Sequence, residues 1–412
     1  MRFSIPVVAA VLSSVSSFDY NSEKVRGVNL GGWLVLEPWI TPSLFEPFKG
    51  KPEGEMAVDE YTFTSILKDS AKEKLEAHWS SFVTETDFQI LKDAGINHVR
   101  IPVGYWAFNR SSDEPYVEGS FDHLVRGVQL AKQFDINVMI DIHSAPLSQN
   151  GFDNSGRAGQ IKFLTDDLSG PRMLDVLDKA TKYFSSDEYK STVTSIEVLN
   201  EPFGQHLNMD KLTQFYDDAY STIRNSNSDI VISYSDAFRD LGDWEYLGSK
   251  ANVLMDTHIY NVFDKSMVFM SPEKHLERTC TFTDKLTRSK SMLPTIVGEW
   301  SLASTDCTLY LNGFMKGSRY AENFENHGSP RLNASYDFKN DKCAQYDSVD
   351  KFPAGHTDFL RQFFDRQIGV FENAGSGWIF WNFKAENSPE WNFIMGVQKG
   401  WIKIPDVTEN PC

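Results

Sequence analysis

Asn137-Val-Met-Ile-Asp-Ile-His143 is the stretch that decides how the chain is read. It is nearly continuous in apolar residues, as a strand buried on both faces must be, whereas a half-solvated strand alternates. Similar runs recur on either side, at 25–30, 97–102, 195–200, 230–235, 253–258, 295–299 and 377–383. The segments between them have helical periodicity. Phe88, Leu91 and Ala94 follow a Thr84 cap and end at Gly95. Phe121, Val125, Val128 and Ala131 form a second stripe, and Leu212, Phe215, Ala219 and Ile223 a third. The last joins Phe359, Phe363, Gln367 and Val370 to Leu360, Phe364 and Phe371. Eight alternations of strand and helix predict an α/β fold, a (β/α)8 TIM barrel. An open doubly wound sheet is the structural alternative.

Two segments exceed ordinary barrel loops, 41–80 after the first strand and 301–353 between the seventh and eighth. Both are expected at the C-terminal face as walls of a pocket. The 412 residues suit one barrel domain with insertions, over 18–412. Residues 1–17 read as a cleaved signal peptide: one Arg, a short apolar run, then small polar residues. No later run is long enough to cross a bilayer, and because residues 408–412 are not a hydrophobic tail, no lipid anchor is expected. Secretion follows, to the extracellular space or cell wall.

With 40 Lys and Arg against 57 Asp and Glu, the net charge is −17. Such a chain is ill suited to nucleic acid or an anionic membrane, whose phosphates need clustered cations. Its 13% aromatic residues provide stacking surfaces for a neutral partner such as a sugar. Four cysteines, Cys280, Cys307, Cys343 and Cys412, suggest two disulfides in an exported chain, with three pairings open. Asn109 and Asn333 head glycosylation sequons.

Two acids stand at strand ends. Leu199-Asn-Glu-Pro202 places Glu201 at the mouth after the fourth strand, and Val297-Gly-Glu-Trp300 places Glu299 at the end of the seventh. These strands lie across a barrel from one another, and two facing carboxyls are what glycoside hydrolysis requires. Arg100, His143, His258, Tyr260 and Trp381 fall at the same rim. A metal site is the rival reading of His143 and His258. No His-x-His or His-Glu-x-x-His spacing accompanies them, so neither metal nor organic cofactor is expected. Rings cluster near these positions: Trp33, Trp39, Tyr105, Trp106, Phe152, Phe263, Trp300, Trp378, Trp381 and Trp391, about half of them expected to be core.

The segments Gly27-Val-Asn-Leu-Gly-Gly-Trp-Leu-Val-Leu-Glu-Pro-Trp39, Arg100-Ile-Pro-Val-Gly-Tyr-Trp-Ala-Phe108, Ser148-Gln-Asn-Gly-Phe-Asp-Asn-Ser-Gly156, Leu199-Asn-Glu-Pro202 and Val297-Gly-Glu-Trp300 resemble the fungal exo-β-1,3-glucanases of glycoside hydrolase family 5. The resemblance runs from about Val25 to the C-terminus. It implies Glu201 as acid/base and Glu299 as nucleophile of a retaining reaction, with Asn200 on the sugar 2-hydroxyl. Arg100 and His143 stand beside the nucleophile, and Arg100 is expected to keep it charged. His258 and Tyr260 orient the two glutamates, Glu37 and Asp153 hold the terminal glucose as charged acceptors, and Phe152 and Phe263 clamp the next sugar. It further implies the disulfides Cys280–Cys412 and Cys307–Cys343. Leu147 stands where Gly is frequent and Thr257 where a second His is frequent. The expected partner is β-glucan, acted on by a monomer. A β-1,6-glucan glucosidase or a transglycosylase would use the same glutamates, and a non-catalytic wall-binding barrel would dispense with one of them.

Overall fold

A computed structural model describes residues 18–324, 342–406 and 408–412. The proposed signal peptide and Asn333 lie outside the described residues. Eight parallel strands close on themselves in chain order, β1-β2-β3-β4-β5-β6-β7-β8. They are β1 Val25–Asn29, β2 His98–Gly104, β3 Asn137–Ser144, β4 Val193–Glu197, β5 Val231–Ser235, β6 Val253–His258, β7 Thr295–Glu299 and β8 Gly377–Phe380. Each strand is buried almost throughout, as the continuous apolar runs require. The chain is therefore a (β/α)8 barrel rather than an open sheet.

Surrounding helices keep the predicted stripes with one change. Thr84 caps the helix Glu85–Asp93 through a capping box with Asp87. The stripes of Met209–Ser226 and His356–Ala374 are buried as read. In Ser120–Gln133 the buried face is Leu124, Gly127, Val128, Leu130 and Ala131, while Phe121 and Val125 are only half-buried. The face turned because Gly127 lets the helix sit against the Trp33 ring, which a Cβ there would meet at 2.9 Å.

Strand residues alternate between the barrel interior and the helices, so interior side chains form layers two residues apart. At the N-terminal end the interior is apolar, with Met139, Leu254, Ile296 and Ile379 packed around Tyr20. Two residues further along the same strands come Asp141, Asp256, Gly298 and Trp381, and two further again His143 and His258. The sequence thus grades each strand from stability at one end to chemistry at the other.

Both long segments lie on the C-terminal side and meet there. Tyr310 donates to Glu46 at 2.6 Å, and the Phe45 and Phe314 rings are 6.2 Å apart. The first segment also braces the loop after β3: Asp59 accepts from the Ala158 amide at 2.7 Å, and Arg157 covers the Tyr61 ring. Disulfides join Cys307 to Cys343 within the second segment, and Cys280 to Cys412 at the chain's end. Among the described residues no helix is long and apolar enough to cross a membrane.

Candidate active site

Glu299 ends β7, and Glu201 follows β4 by four residues. Glu201 has a positive φ of 44°, a conformation that costs a non-glycine residue of order 1 kcal/mol and is kept only where the surroundings enforce it. Gln149 enforces it, donating to the carbonyls of both His143 and Asn200 at 2.9 Å and tying the ends of β3 and β4 together. Carboxyl oxygens of Glu201 and Glu299 and a ring nitrogen of His258 all lie within 4.8 Å of one another.

Donors converge on this pair. His258 Nδ1 stands 2.8 Å from Glu201 Oε1 and 3.4 Å from Glu299 Oε2. Tyr260 donates to Glu299 Oε2 at 2.8 Å, and Arg100 Nη1 to Glu299 Oε1 at 3.0 Å. Asn154 donates to Glu201 Oε2 at 3.3 Å. Arg100 also holds Asn200 Oδ1 at 2.8 Å, and the Asn200 amide faces His143 Nε2 at 3.4 Å. The Trp381 indole stacks parallel to the His143 ring, centroids 5.6 Å apart. Gly31 makes room for it, since a Cβ there would stand 2.6 Å from the indole.

Glu37 and Asp153 are both drawn into the same pocket. Trp39 Nε1 donates to Glu37 Oε2 at 2.9 Å, while Glu37 Oε1 and Asp153 Oδ2 have no partner. The two carboxyls were expected as charged acceptors. Burial, then the charge of Asp153, lifts Glu37 well above the carboxylate range, and burial lifts Asp153 to about 7. Each therefore opposes the ionisation of the other. Phe152 and Phe263 stay at the rim, 40% and 45% exposed. Phe152 rests on Phe203 and Phe238, Phe263 on Tyr260 and Trp391, and the two rings do not touch each other. Trp33, Tyr105, Trp106, Trp300 and Trp378 are core. The Asn109 amide donates to Asp175 at 2.6 Å.

Arg100 does not serve Glu299 alone, contrary to the simplest expectation. It also pairs with Glu197 at 2.7 Å and Asp141 at 3.1 Å. Burial, with the Glu201 charge added, raises Glu299 to about 7 against the pull of His258 and Arg100. Burial also pushes Glu201 upward, but the hydrogen bond and charge of His258 outweigh it and hold Glu201 below its usual value. Burial disfavours a charged His258, yet Glu299, Asp256 and Glu201 together raise it well above the usual histidine value. Glu299 is thus the weaker acid of the pair and Glu201 the stronger, with their titrations linked through His258. Asp141, Glu197, Asp256, Asn154 and Gln149 were not singled out from sequence. The signal for the three acids was an Asp or Glu inside an otherwise apolar strand, where a charge must be paired.

Two triplets, Glu201-His258-Glu299 and Glu197-Asp256-His258, have spacings a cation could use. The Arg100 guanidinium already stands among them and would repel a second positive charge.

Residues 62–339 match the family described as Cellulase (glycosyl hydrolase family 5). A glucan 1,3-beta-glucosidase 2 of Wickerhamomyces anomalus is 40% identical over 91% of this chain and 87% of its own. A probable glucan 1,3-beta-glucosidase A of Aspergillus niger is 41% identical over 92% and 86%. Among solved structures, a rutinosidase from Aspergillus niger superposes with a TM-score of 0.72 at 19% identity, covering 94% of this chain and all of that one, which speaks to the fold. A closed barrel, paired glutamates at its mouth and relatives matched almost end to end agree: the chain belongs to glycosyl hydrolase family 5 and is a glycoside hydrolase.

Proposed function

We propose that the protein is a secreted, retaining exo-β-glucanase that releases glucose from the non-reducing ends of cell-wall β-1,3-glucan. The observation that carries the reading is the approach of the Glu201 and Glu299 carboxyl oxygens to within 4.8 Å. Retaining glycosidases hold their carboxyls about 5–5.5 Å apart, whereas inverting ones leave roughly 6.5–9.5 Å for a water. The names of the similar proteins support the substrate class.

Glu299 attacks the anomeric carbon while Glu201 protonates the departing glycosidic oxygen. Glu201 then takes a proton from water as that water displaces Glu299 from the sugar. This requires the proton on Glu201, whereas burial favours the protonated form of Glu299. His258 Nδ1 faces both carboxyls and can hand its own proton to Glu201 while accepting that of Glu299, with no change in the number of protons held. Positive charge building on the sugar favours the Glu299 carboxylate and drives the transfer in the needed direction.

Exo action follows from closure of one end. The described parts of the two long segments join each other and brace the Asp153 loop. The unpartnered Glu37 Oε1 and Asp153 Oδ2 wait for hydroxyls of a terminal glucose. An internal glucose carries a glycosidic bond in place of one such hydroxyl and leaves a carboxyl unpaired, which opposes its binding. Phe152 and Phe263 then grip the next sugar. Product analysis on laminarin tests this: glucose is the expected early product, and a laminarin blocked at its non-reducing end resists the enzyme. Rapid release of mixed oligosaccharides from the blocked polymer would overturn the exo reading.

A further inference from the structure

A cavity of about 320 Å³ lies outside the catalytic pocket, where the loops after β6 and β7, the second long segment and the start of the helix His356–Ala374 meet. It uses none of the residues assigned above to the reaction or to the sugars beside it. Its size falls within the range of small-ligand pockets, roughly 300–1,000 Å³, and far exceeds the about 30 Å³ that one water takes up in the liquid. Part of its wall is aromatic. The Phe269 and Tyr320 rings stack with centroids 5.6 Å apart, and Tyr346 meets Tyr320 edge-on at 5.8 Å. Phe269 is 48% exposed, an apolar ring left in water at the edge of the cavity.

The lining is polar where it is buried most deeply. His275, on the helix Pro272–Cys280, is 1% exposed and rests its ring against Phe359 and Phe363, 6.1 and 5.7 Å away. Among the described residues neither of its ring nitrogens has a hydrogen-bond partner, and Thr305 Oγ1, also buried, has none either. Buried polar side chains without partners are rare in native folds and mark places that something else completes. Burial, then the charge of Arg278, pushes His275 down to about 4 against the pull of the Ser304 carbonyl. Above that value the imidazole is neutral, with one N–H to give and one lone pair to receive, and the Thr305 hydroxyl can do both. No Asp, Glu, Lys or Arg lines the cavity. Rings beside uncharged donors and acceptors suit a neutral polyhydroxylated ring better than an ion.

The walls are fixed in advance. Asp306, next to Thr305, accepts from the Ser318 hydroxyl at 2.7 Å and from the Arg319 and Tyr320 amides at 2.8 and 3.0 Å. The Cys307–Cys343 disulfide ties the same turn to the stretch that carries Tyr346. Little ordering remains to oppose binding. The cavity also borders the catalytic mouth. Phe269 follows the rim residue Phe263 closely in the chain, so their backbones are at most about 22 Å apart. On its inner side His356 pairs through Nε2 with Glu390 at 2.9 Å, and the next residue is Trp391, on which Tyr260 and Phe263 rest.

We propose that this cavity is a second, non-catalytic sugar site, which takes a glucose unit of the glucan and holds the polymer beside the catalytic pocket. The choice of ligand rests on the glucan reading. A chain gripped at two places gains apparent affinity without any change in the chemistry, whereas a substrate too short to span them gains nothing.

Two variants test it: Phe269→Ala removes the exposed ring, and Thr305→Val exchanges the buried hydroxyl for a methyl of similar shape. Each raises KM on laminarin about threefold to tenfold and leaves kcat on laminarin, and both constants on an aryl β-glucoside, within about twofold. An unchanged KM on laminarin, or an equal rise on both substrates, would overturn the proposal. Where one variant melts early, the other decides. Calorimetry on the Glu299→Gln protein gives a readout that needs no turnover. Laminaritriose fills two classes of site there, and one fewer once Phe269→Ala and Thr305→Val are added; identical isotherms contradict a second site. If the parent enzyme cleaves no β-glucan, the functional reading fails, while the calorimetric comparison still decides whether the cavity binds sugar.

Discussion

The two ends of the barrel solve opposite problems with the same eight strands. At the N-terminal end, Tyr20 closes an apolar layer, and its hydroxyl is shared among Thr194 at 2.7 Å, Ser195 at 3.2 Å and His98 at 3.2 Å. The C-terminal tail covers the edge of this end: Arg26 bonds the carbonyl of Pro405 and the Glu372 carboxylate, and Cys412 is bridged to Cys280. At the other end, seven carboxyls stand around Arg100 and His258, and five of them, Glu37, Asp141, Asp153, Glu197 and Asp256, each keep an oxygen without a partner. Unpaired buried oxygens destabilise a fold, so their concentration at one end marks where stability is given up for binding and proton handling. Substitutions at the two ends should therefore fail differently: those at the closed end change stability alone, and those at the mouth change turnover or pH dependence as well.

The largest expected effect is on turnover. Glu299→Ala lowers kcat/KM by at least about 10⁴-fold on every substrate, because no covalent step remains. Glu201→Ala is partly rescued by an aryl glucoside whose leaving group needs no proton; the opposite pattern in kinetic assays would reverse the two roles. Next is Arg100→Ala, which leaves buried carboxylates without their counter-charge and costs about 3–5 kcal/mol in denaturant unfolding. An effect confined to kcat would show that the acids below hold themselves together.

Acid stability separates the ends further. Burial, with the Asp59 charge added, raises Glu60 from 4.5 to about 8, while its Oε2 accepts from the Leu36 amide beside Glu37. A group raised on folding contributes stability that is complete below its unfolded value and is lost as pH climbs through its folded value. Thermal stability should therefore decline between pH 4.5 and 8, and Glu60→Gln should flatten that slope; an unchanged slope would place the linkage elsewhere. Phe152→Ala should raise KM on a short aryl glucoside about threefold to tenfold, more than it lowers kcat, the size of a lost ring contact. Tyr20→Phe, at the closed end, should cost about 1 kcal/mol in unfolding and leave the pH profile unmoved. A shift in that profile would mean the two ends communicate.

The barrel was legible because strands buried on both faces must be written as apolar runs, and Glu201 and Glu299 were legible because they follow such runs directly. Glu37, Asp153 and the rim phenylalanines came from resemblance, since nothing in the periodicity separates Phe152 from a core ring. The acids beneath the site were harder to see. Asp141 sits inside Val-Met-Ile-Asp-Ile, and read as part of an apolar run it vanishes, whereas read at period two it falls in the layer between Met139 and His143. The coupling of the pair through His258 was not legible at all. It depends on His258 Nδ1 lying within reach of both glutamates, a distance fixed only when β4, β6 and β7 are brought together.

Carboxyl oxygens of Glu201 and Glu299 within 4.8 Å of each other leave no room for an intervening water and call for double displacement. Proton NMR of freshly released glucose from laminarin, recorded before mutarotation, tests it most directly. The β-anomer appearing first, with the α-anomer growing in later, is the predicted result. The α-anomer appearing first would mean direct attack by water, and would contradict the assignment of Glu299 as nucleophile.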